Sequence, residues 1–247
     1  MKNYQNKSTF LILFGLFLSI SNIHSQTNSN DISIYNWFDN TVGNRNLDII
    51  NGTPHINPFN TIGENNLYFI NQYEIGNLKY DGEDYYNVKL KYDIYRDLLV
   101  LNPFGESENI GINLIQKNVE AFSIKDSKFV KIEKTDKDVP GFTSGYYEES
   151  KIGSNFIFYI KHHKDIRKIV KEAGSYYSFT ENTMFFIDFN NKIDQINSKN
   201  DIIKLFPDQK KNINEFYLMN RELKKYDLNQ FMKNLMKYIY SSASTKN

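Results

Sequence analysis

The stretch Ile75-Gly76-Asn77-Leu78-Lys79-Tyr80-Asp81-Gly82-Glu83-Asp84-Tyr85-Tyr86-Asn87-Val88-Lys89-Leu90-Lys91-Tyr92 reads as two strands joined by a two-residue turn. Asp81-Gly82 tolerates the positive φ that a tight hairpin asks of both its central residues. Past the turn, Tyr86, Val88, Leu90 and Tyr92 alternate with Asn87, Lys89 and Lys91. That is the period of a strand with one buried and one wet face, and it puts Tyr86 in the inward set.

The same punctuation recurs outward from this hairpin. Asn51-Gly52 lies between Leu47 to Ile50 and Thr53 to Ile56, and Asn190-Asn191 lies between Met184 to Asp188 and Lys192 to Ile196. Both predict further hairpins, because Asn and Gly reach left-handed backbone at little cost. Short strands are predicted at Leu98 to Leu101, Ile110 to Leu114, Ala121 to Ile124, Lys128 to Ile132, Gly145 to Glu149 and Asn155 to Lys161.

The period changes near Ser198. Ser198-Lys199-Asn200-Asp201 resembles a capping box ahead of Ile202, Ile203, Leu205 and Phe206, Pro207 opens a second helix, and Asp227 caps a third. In that last helix Phe231, Leu235 and Ile239 recur every four residues, an apolar stripe that has to pack on something. The fold class that follows is α+β, mainly β: an antiparallel meander, curved or sandwich-like, followed by a small helical unit over about 198–241. Residues 26–247 form one domain in this reading.

Residues 1–25 read as a secretory signal peptide. Lys2 and Lys7 precede an apolar run from Phe10 to Ile20, too short to span a bilayer, and a polar tract follows with small Ser25 at the expected cut. The expected product is soluble, periplasmic or secreted, without a transmembrane anchor in the mature chain. The chain has no cysteine, which excludes disulfides, thiolate metal sites, a cysteine nucleophile and a lipid-modified N-terminal cysteine. Removing Lys2 and Lys7 from the 30 basic residues leaves 28 against 29 acidic ones. A net charge of −1 implies no general attraction to nucleic acid.

Two segments carry a resemblance. Gly82-Glu83-Asp84-Tyr85-Tyr86-Asn87-Val88-Lys89-Leu90-Lys91-Tyr92-Asp93-Ile94-Tyr95-Arg96-Asp97 and Leu205-Phe206-Pro207-Asp208-Gln209-Lys210-Lys211 are similar to a pattern shared by uncharacterised exported proteins of the Bacteroidota. The resemblance implies an envelope address and a β-then-α order. It attaches no chemistry to any residue.

Candidate sites are few. His162 and His163, with a remote His55, are the candidate metal ligands, but neighbours on a strand point to opposite faces, and a strand end entering a turn is the plainer reading. Lys161, Lys164, Arg167, Lys168 and Lys171 would hold an anion or, more simply, guard a sheet edge. Asp81, Glu83, Asp84, Asp93 and Asp97 offer carboxylates, the first three around a turn. Ser144, in Gly141-Phe142-Thr143-Ser144-Gly145, lacks the nucleophile-elbow spacing. Tyrosines crowd the strands as core or as a stacking face, and Trp37 reads as a core or edge-packing residue. No cofactor is implied, since the Gly-x-Gly-x-x-Gly, Walker A and His-Glu-x-x-His patterns are missing.

Three readings follow. The first is a non-enzymatic envelope domain that binds a partner protein or an extracellular ligand through its sheet. The second is a lipid carrier with an apolar cavity under the helices, and the third a hydrolase built from scattered acids and histidines.

Overall fold

The computed structural model describes residues 29–43, 47–62, 66–103, 110–133 and 139–244. The signal peptide reading falls outside them. Helix α1 (Ser29–Val42) leads into a short 3-10 turn (Asp48–Ile50) and β1 (Thr53–Pro54). Then come β2 (Glu74–Tyr80), β3 (Glu83–Asp93), β4 (Leu98–Asn102), β5 (Ile112–Asn113), β6 (Val119–Ile124), β7 (Ser127–Ile132), β8 (Gly145–Gly153) and β9 (Phe156–Lys161). A hairpin of β10 (Lys164–Lys171) and β11 (Gly174–Glu181) precedes β12 (Met184–Phe189) and β13 (Lys192–Ile196). The chain ends in α2 (Lys199–Leu205), α3 (Lys210–Met219), α4 (Arg221–Tyr226) and α5 (Leu228–Ser244).

Eleven strands form one antiparallel sheet in the order β1-β5-β4-β3-β2-β6-β7-β8-β9-β12-β13, and β10-β11 stand apart as a ribbon. The protein is therefore mainly β with helices at its C-terminal end. Two meanders, β2 to β5 and β6 to β13, join where β2 pairs with β6. The sheet is curved. Tyr92 on β3 and Tyr146 on β8 have three strands between them, a separation of about 19 Å in a flat sheet. Their ring centroids nevertheless lie 5.9 Å apart. Phe122 and Phe129 stack between them at 4.7 Å, so the concave side is filled with rings.

The far half of the sheet is covered by helices. Phe156, Phe158, Ile160, Phe185, Ile187 and Ile196 pack beneath Ile202, Ile213, Phe231, Leu235, Met236 and Ile239. Caps form where the sequence placed them. The Ser198 hydroxyl accepts the Asp201 N–H at 3.3 Å, and Asp227 accepts the Gln230 N–H at 2.8 Å. The Asp81-Gly82 hairpin forms with φ of 53° and 85°, as its turn type requires, and Asn190-Asn191 repeats it at 54° and 61°.

Three expectations are corrected. Asn51-Gly52 makes no hairpin: Asp48–Ile50 coils, and Thr53–Pro54 pairs with β5 instead. Pro54 lacks the N–H a ladder needs, which confines this piece to the sheet edge. Trp37 is not buried; it lies on α1 and is 65% exposed. Finally, the segment after His163 is no mere polar turn but a full hairpin, whose turn at Glu172-Ala173 carries none of the usual signals. Lys164 fixes this ribbon, donating its buried ammonium to the carbonyls of Asn66 at 2.9 Å and Tyr68 at 2.8 Å.

Candidate functional site

The three histidines proposed as ligands have separate surroundings. His162 is buried, its Nε2 is 2.7 Å from Glu148 Oε2, and its ring meets the edge of Phe69. Lys233 on α5 donates to the other oxygen of Glu148, so this trio pins the last helix to the sheet. Burial alone would push the Glu148 carboxyl up. The His162 and Lys233 hydrogen bonds and charges outweigh it and hold the group at about 2. His163 lies 3.6 Å from Asp165. His55 lies 2.7 Å from Asn113 Oδ1 and 2.8 Å from the Tyr68 hydroxyl. Burial, with the nearby Arg96 and Lys91 charges, holds it below the usual imidazole range against the opposing pull of the Asn113 hydrogen bond and Asp93. Among the described residues no group of three or more His, Asp or Glu is placed to hold a metal ion.

Of the candidate carboxylates, Asp81, Glu83 and Asp84 lie exposed around the hairpin turn, while Asp93 and Asp97 are held inside the fold. Asp93 is buried, accepting the backbone N–H of Tyr95 and Arg96 on one oxygen and Arg96 Nε at 2.6 Å on the other. Asp97, in left-handed backbone at φ 58°, accepts the Tyr92 hydroxyl and Lys161 Nζ at 2.7 Å. A side chain at Gly145 would stand 2.0 Å from Asp97 Oδ2, so glycine there is what lets β8 close on this pair. The stretch around Ser144 is a turn locked by the Tyr147 hydroxyl, which accepts the Thr143 N–H at 3.0 Å and donates to the Thr143 carbonyl at 2.7 Å. Asp93, Asp97 and Tyr147 are thus each bonded to partners within the fold, the arrangement of structural anchors.

The open geometry lies elsewhere, at the start of β3. Between Gly76 and Leu78 the β2·β3 register slips, so that Asn77 faces both Tyr86 and Asn87. Asn87 takes φ 57°, and its N–H reaches the Asn77 side chain at 3.4 Å. A bulge reverses the side-chain alternation beyond it. The inward residues are therefore Tyr85, then Val88, Leu90 and Tyr92, and Tyr86 moves out to meet Tyr35 of α1 at 5.8 Å. The sequence pattern assigned Tyr86 inward because nothing in it marks the extra residue.

A cleft of about 390 Å³ opens between α1 and this segment. Leu47, Ile49, Ile50, Val88 and Leu101 make its apolar lining, and Asn36, Asp39, Asn87, Lys89 and Asn102 its polar groups. A second cavity of about 330 Å³, reaching to Ser123 and Lys128, shares Tyr85 and Tyr86 with it.

Two features of the cleft are unusual. The first is the orientation of α1. Ile32, Asn36 and Asp39 occupy its half-buried stripe, while Ile34, Trp37 and Phe38 are 62%, 65% and 55% exposed. A helix on a protein surface normally does the opposite. The Asp39 carboxyl is pushed up by its burial. The second is an open strand edge. β4 pairs with β3 only from Lys89 to Asp93 and stops at Asn102, where Pro103 follows. Among the described residues no strand pairs with Glu83 to Val88 on that side. Sequence reasoning missed Asn36, Asp39 and this edge; the signal available was Pro103, after which β4 leaves the six residues Glu83 to Val88 of β3 unmatched.

In comparisons with models of protein families, with curated proteins and with solved structures, nothing matches the chain, so the cleft is judged on its geometry.

Proposed function

We propose that this is an exported, non-enzymatic binding domain whose ligand occupies the cleft between α1 and the bulged start of β3. The observation that carries the reading is the reversed helix: α1 turns Asn36 and Asp39 toward a space of about 390 Å³ while leaving Ile34, Trp37 and Phe38 in solvent. That volume falls within the ~300–1,000 Å³ of small-ligand sites, and a mixed apolar and polar lining is their usual composition. Turning polar groups inward sacrifices apolar burial, and a ligand that hydrogen-bonds to them supplies the compensation.

The carrier reading loses support because the concave side of the sheet and the space beneath the C-terminal helices are filled by packed side chains. The hydrolase reading loses support because Glu148, Asp93 and Asp97 are each held by internal donors. Export rests on the basic, apolar and polar order of residues 1–25 and on the resemblance to exported Bacteroidota proteins. Among the described residues no helix is long and apolar enough to cross a membrane.

The test is a fragment screen read by amide chemical shifts. Shifts gathered at Asn36, Asp39 and Tyr85 to Lys89 support the cleft, whereas shifts only at other surfaces sink it. The intact mass of native protein should correspond to a chain starting at Gln26, and a retained Met1 removes the export part.

A further inference from the structure

Resting on the cleft reading, we infer that the ligand is an extended peptide segment of a partner protein, basic and apolar in alternation, which adds to the sheet as a strand along Glu83 to Val88 of β3. The argument starts from the hairpin. A two-residue turn at Asp81-Gly82 makes Tyr80 and Glu83 the hydrogen-bonded pair that closes it. Lys79 and Asp84 are then a non-hydrogen-bonded pair, and the N–H and C=O of Asp84 point away from β2. Leu78 pairs with Tyr85, so the next outward-pointing main chain falls at Tyr86, the first residue of the bulge.

These are main-chain groups of a strand whose other neighbour, β4, ends at Asn102 opposite Lys89. An incoming strand along this edge continues the line of β4. About five residues fit there, since five strand residues span roughly 16 Å. The bulge at Asn87 then breaks the ladder before the incoming chain would collide with the end of β4.

The walls describe the side chains of such a segment. Residues pointing to one face meet Leu47, Ile49, Ile50 and Leu101, which suits Val, Ile or Leu. The α1 end of the cleft adds one lining carboxylate, Asp39, with Asp48 and Glu83 nearby. Asp39, Asp48 and Glu83 all lie close enough to Tyr85 to raise its hydroxyl pKa, which burial chiefly sets at about 12. α1 contributes Asp31 and Asp39 and carries no basic residue. Lysine or arginine side chains on the incoming strand complement this face, with Lys89 marking the opposite limit of the cleft. Strand addition takes its affinity from the backbone and its selectivity from alternate side chains, which matches an open edge flanked by an apolar lining and the Asp39 carboxylate.

The probe is an acetylated, amidated octapeptide of alternating Lys and Val, fluorescently labelled and titrated into the whole chain. Three controls accompany it: the Glu/Val counterpart, a version N-methylated on alternate residues, and cellotetraose. The Lys/Val peptide should bind at least about tenfold more tightly than the Glu/Val and N-methylated peptides, and its affinity should fall as salt rises. At saturation the Asp84 and Tyr86 amides should exchange with solvent about tenfold more slowly.

Asp39→Asn should weaken the Lys/Val peptide several-fold with an unchanged unfolding midpoint, whereas Trp37→Ser, on the outward side of α1, should bind it as wild type does. Equal binding of the N-methylated peptide overturns strand addition, and so does cellotetraose shifting the cleft amides while the peptide shifts none. If fragments perturb the cleft and the Lys/Val peptide does not bind, this inference fails and the cleft reading stands. If neither fragments nor peptide perturb Tyr85 to Lys89, both fail.

Discussion

Helices α5 and α1 lie against the same curved sheet in opposite senses. α5 buries Phe231, Met232, Leu235, Met236 and Ile239, reaches the sheet with Lys233 and leaves Lys237 outside. α1 turns Asn36 and Asp39 in and leaves Ile34, Trp37 and Phe38 out. The first arrangement is what burial of apolar surface produces when nothing else is asked of a helix. The second gives up that stabilisation, and departures from local rules of this kind gather at functional sites. The two helices thus differ in what they give the fold: α5 closes a core cluster, whereas α1 supplies the polar side of the proposed cleft.

The largest effect should come from α5. Phe231 is fully buried between the rings of Tyr217 at 4.9 Å and Phe216 at 5.5 Å. Phe231→Ala should cost about 3–5 kcal/mol in chemical denaturation, through lost transfer energy and the cavity left behind. A loss below about 1 kcal/mol would mean that the helical end is not the anchor, and the contrast would collapse.

Next comes the ion trio beneath the same helix. Glu148 is depressed from 4.5 to about 2 in the fold, so its contribution is fully present above pH 4.5 and is lost as pH falls through about 2. That shift corresponds to about 3 kcal/mol. Urea midpoints of the wild type should therefore drop between pH 4.5 and 2 by more than those of Glu148→Gln. Parallel pH profiles for the two proteins would show that α5 is held by apolar packing alone. At neutral pH the variant should lose about 3 kcal/mol, because Lys233 and His162 would face an uncharged amide in a buried setting.

How much of this was legible in the sequence divides along the same line. Asp81-Gly82, Asn190-Asn191, Ser198 and Asp227 each encode a backbone conformation through their own side chains or lack of one, and each stands where the pattern put it. Asn51-Gly52 carried the same local signal, but Pro54 and a partner strand sixty residues away overrode it. The β10-β11 ribbon hid because four basic residues in eight look like a solvated turn, and the contacts that hold it, from Lys164 to Asn66 and Tyr68, are distant in sequence. The cleft was the least legible part. A bulge is a property of two strands together, and Asn87 alone does not announce that the alternation reverses at Tyr86.

A smaller effect separates the bulge from the rest of β3. Asn87 sits at φ 57°, where a Cβ without a local hydrogen-bonding group costs about 1–2 kcal/mol. Asn87→Ala should therefore lose about 1 kcal/mol, while Asn87→Gly, which reaches that conformation freely, should stay near wild type. If both variants behave alike, backbone conformation is not what fixes the bulge. If Asn87→Gly alone keeps peptide affinity as well as stability, the shape of the edge matters to recognition more than the carboxamide does.

The smallest effect is the most telling about α1. Trp37 is the only tryptophan in the chain, so its fluorescence reports this helix without any labelling. At 65% exposure its emission should be that of a hydrated indole, readily quenched by acrylamide. Trp37→Ser should change stability by no more than about 0.5 kcal/mol, as for a surface position that makes no special contact. For an aromatic residue on a core-facing stripe the same change would cost several times more, as at Phe231. A blue-shifted, protected emission in dilute protein, or a loss above about 1 kcal/mol, would mean that α1 turns its apolar stripe inward as α5 does. Asn36 and Asp39 would then leave the cleft, and the basic strand proposed for it would lose its lining carboxylate.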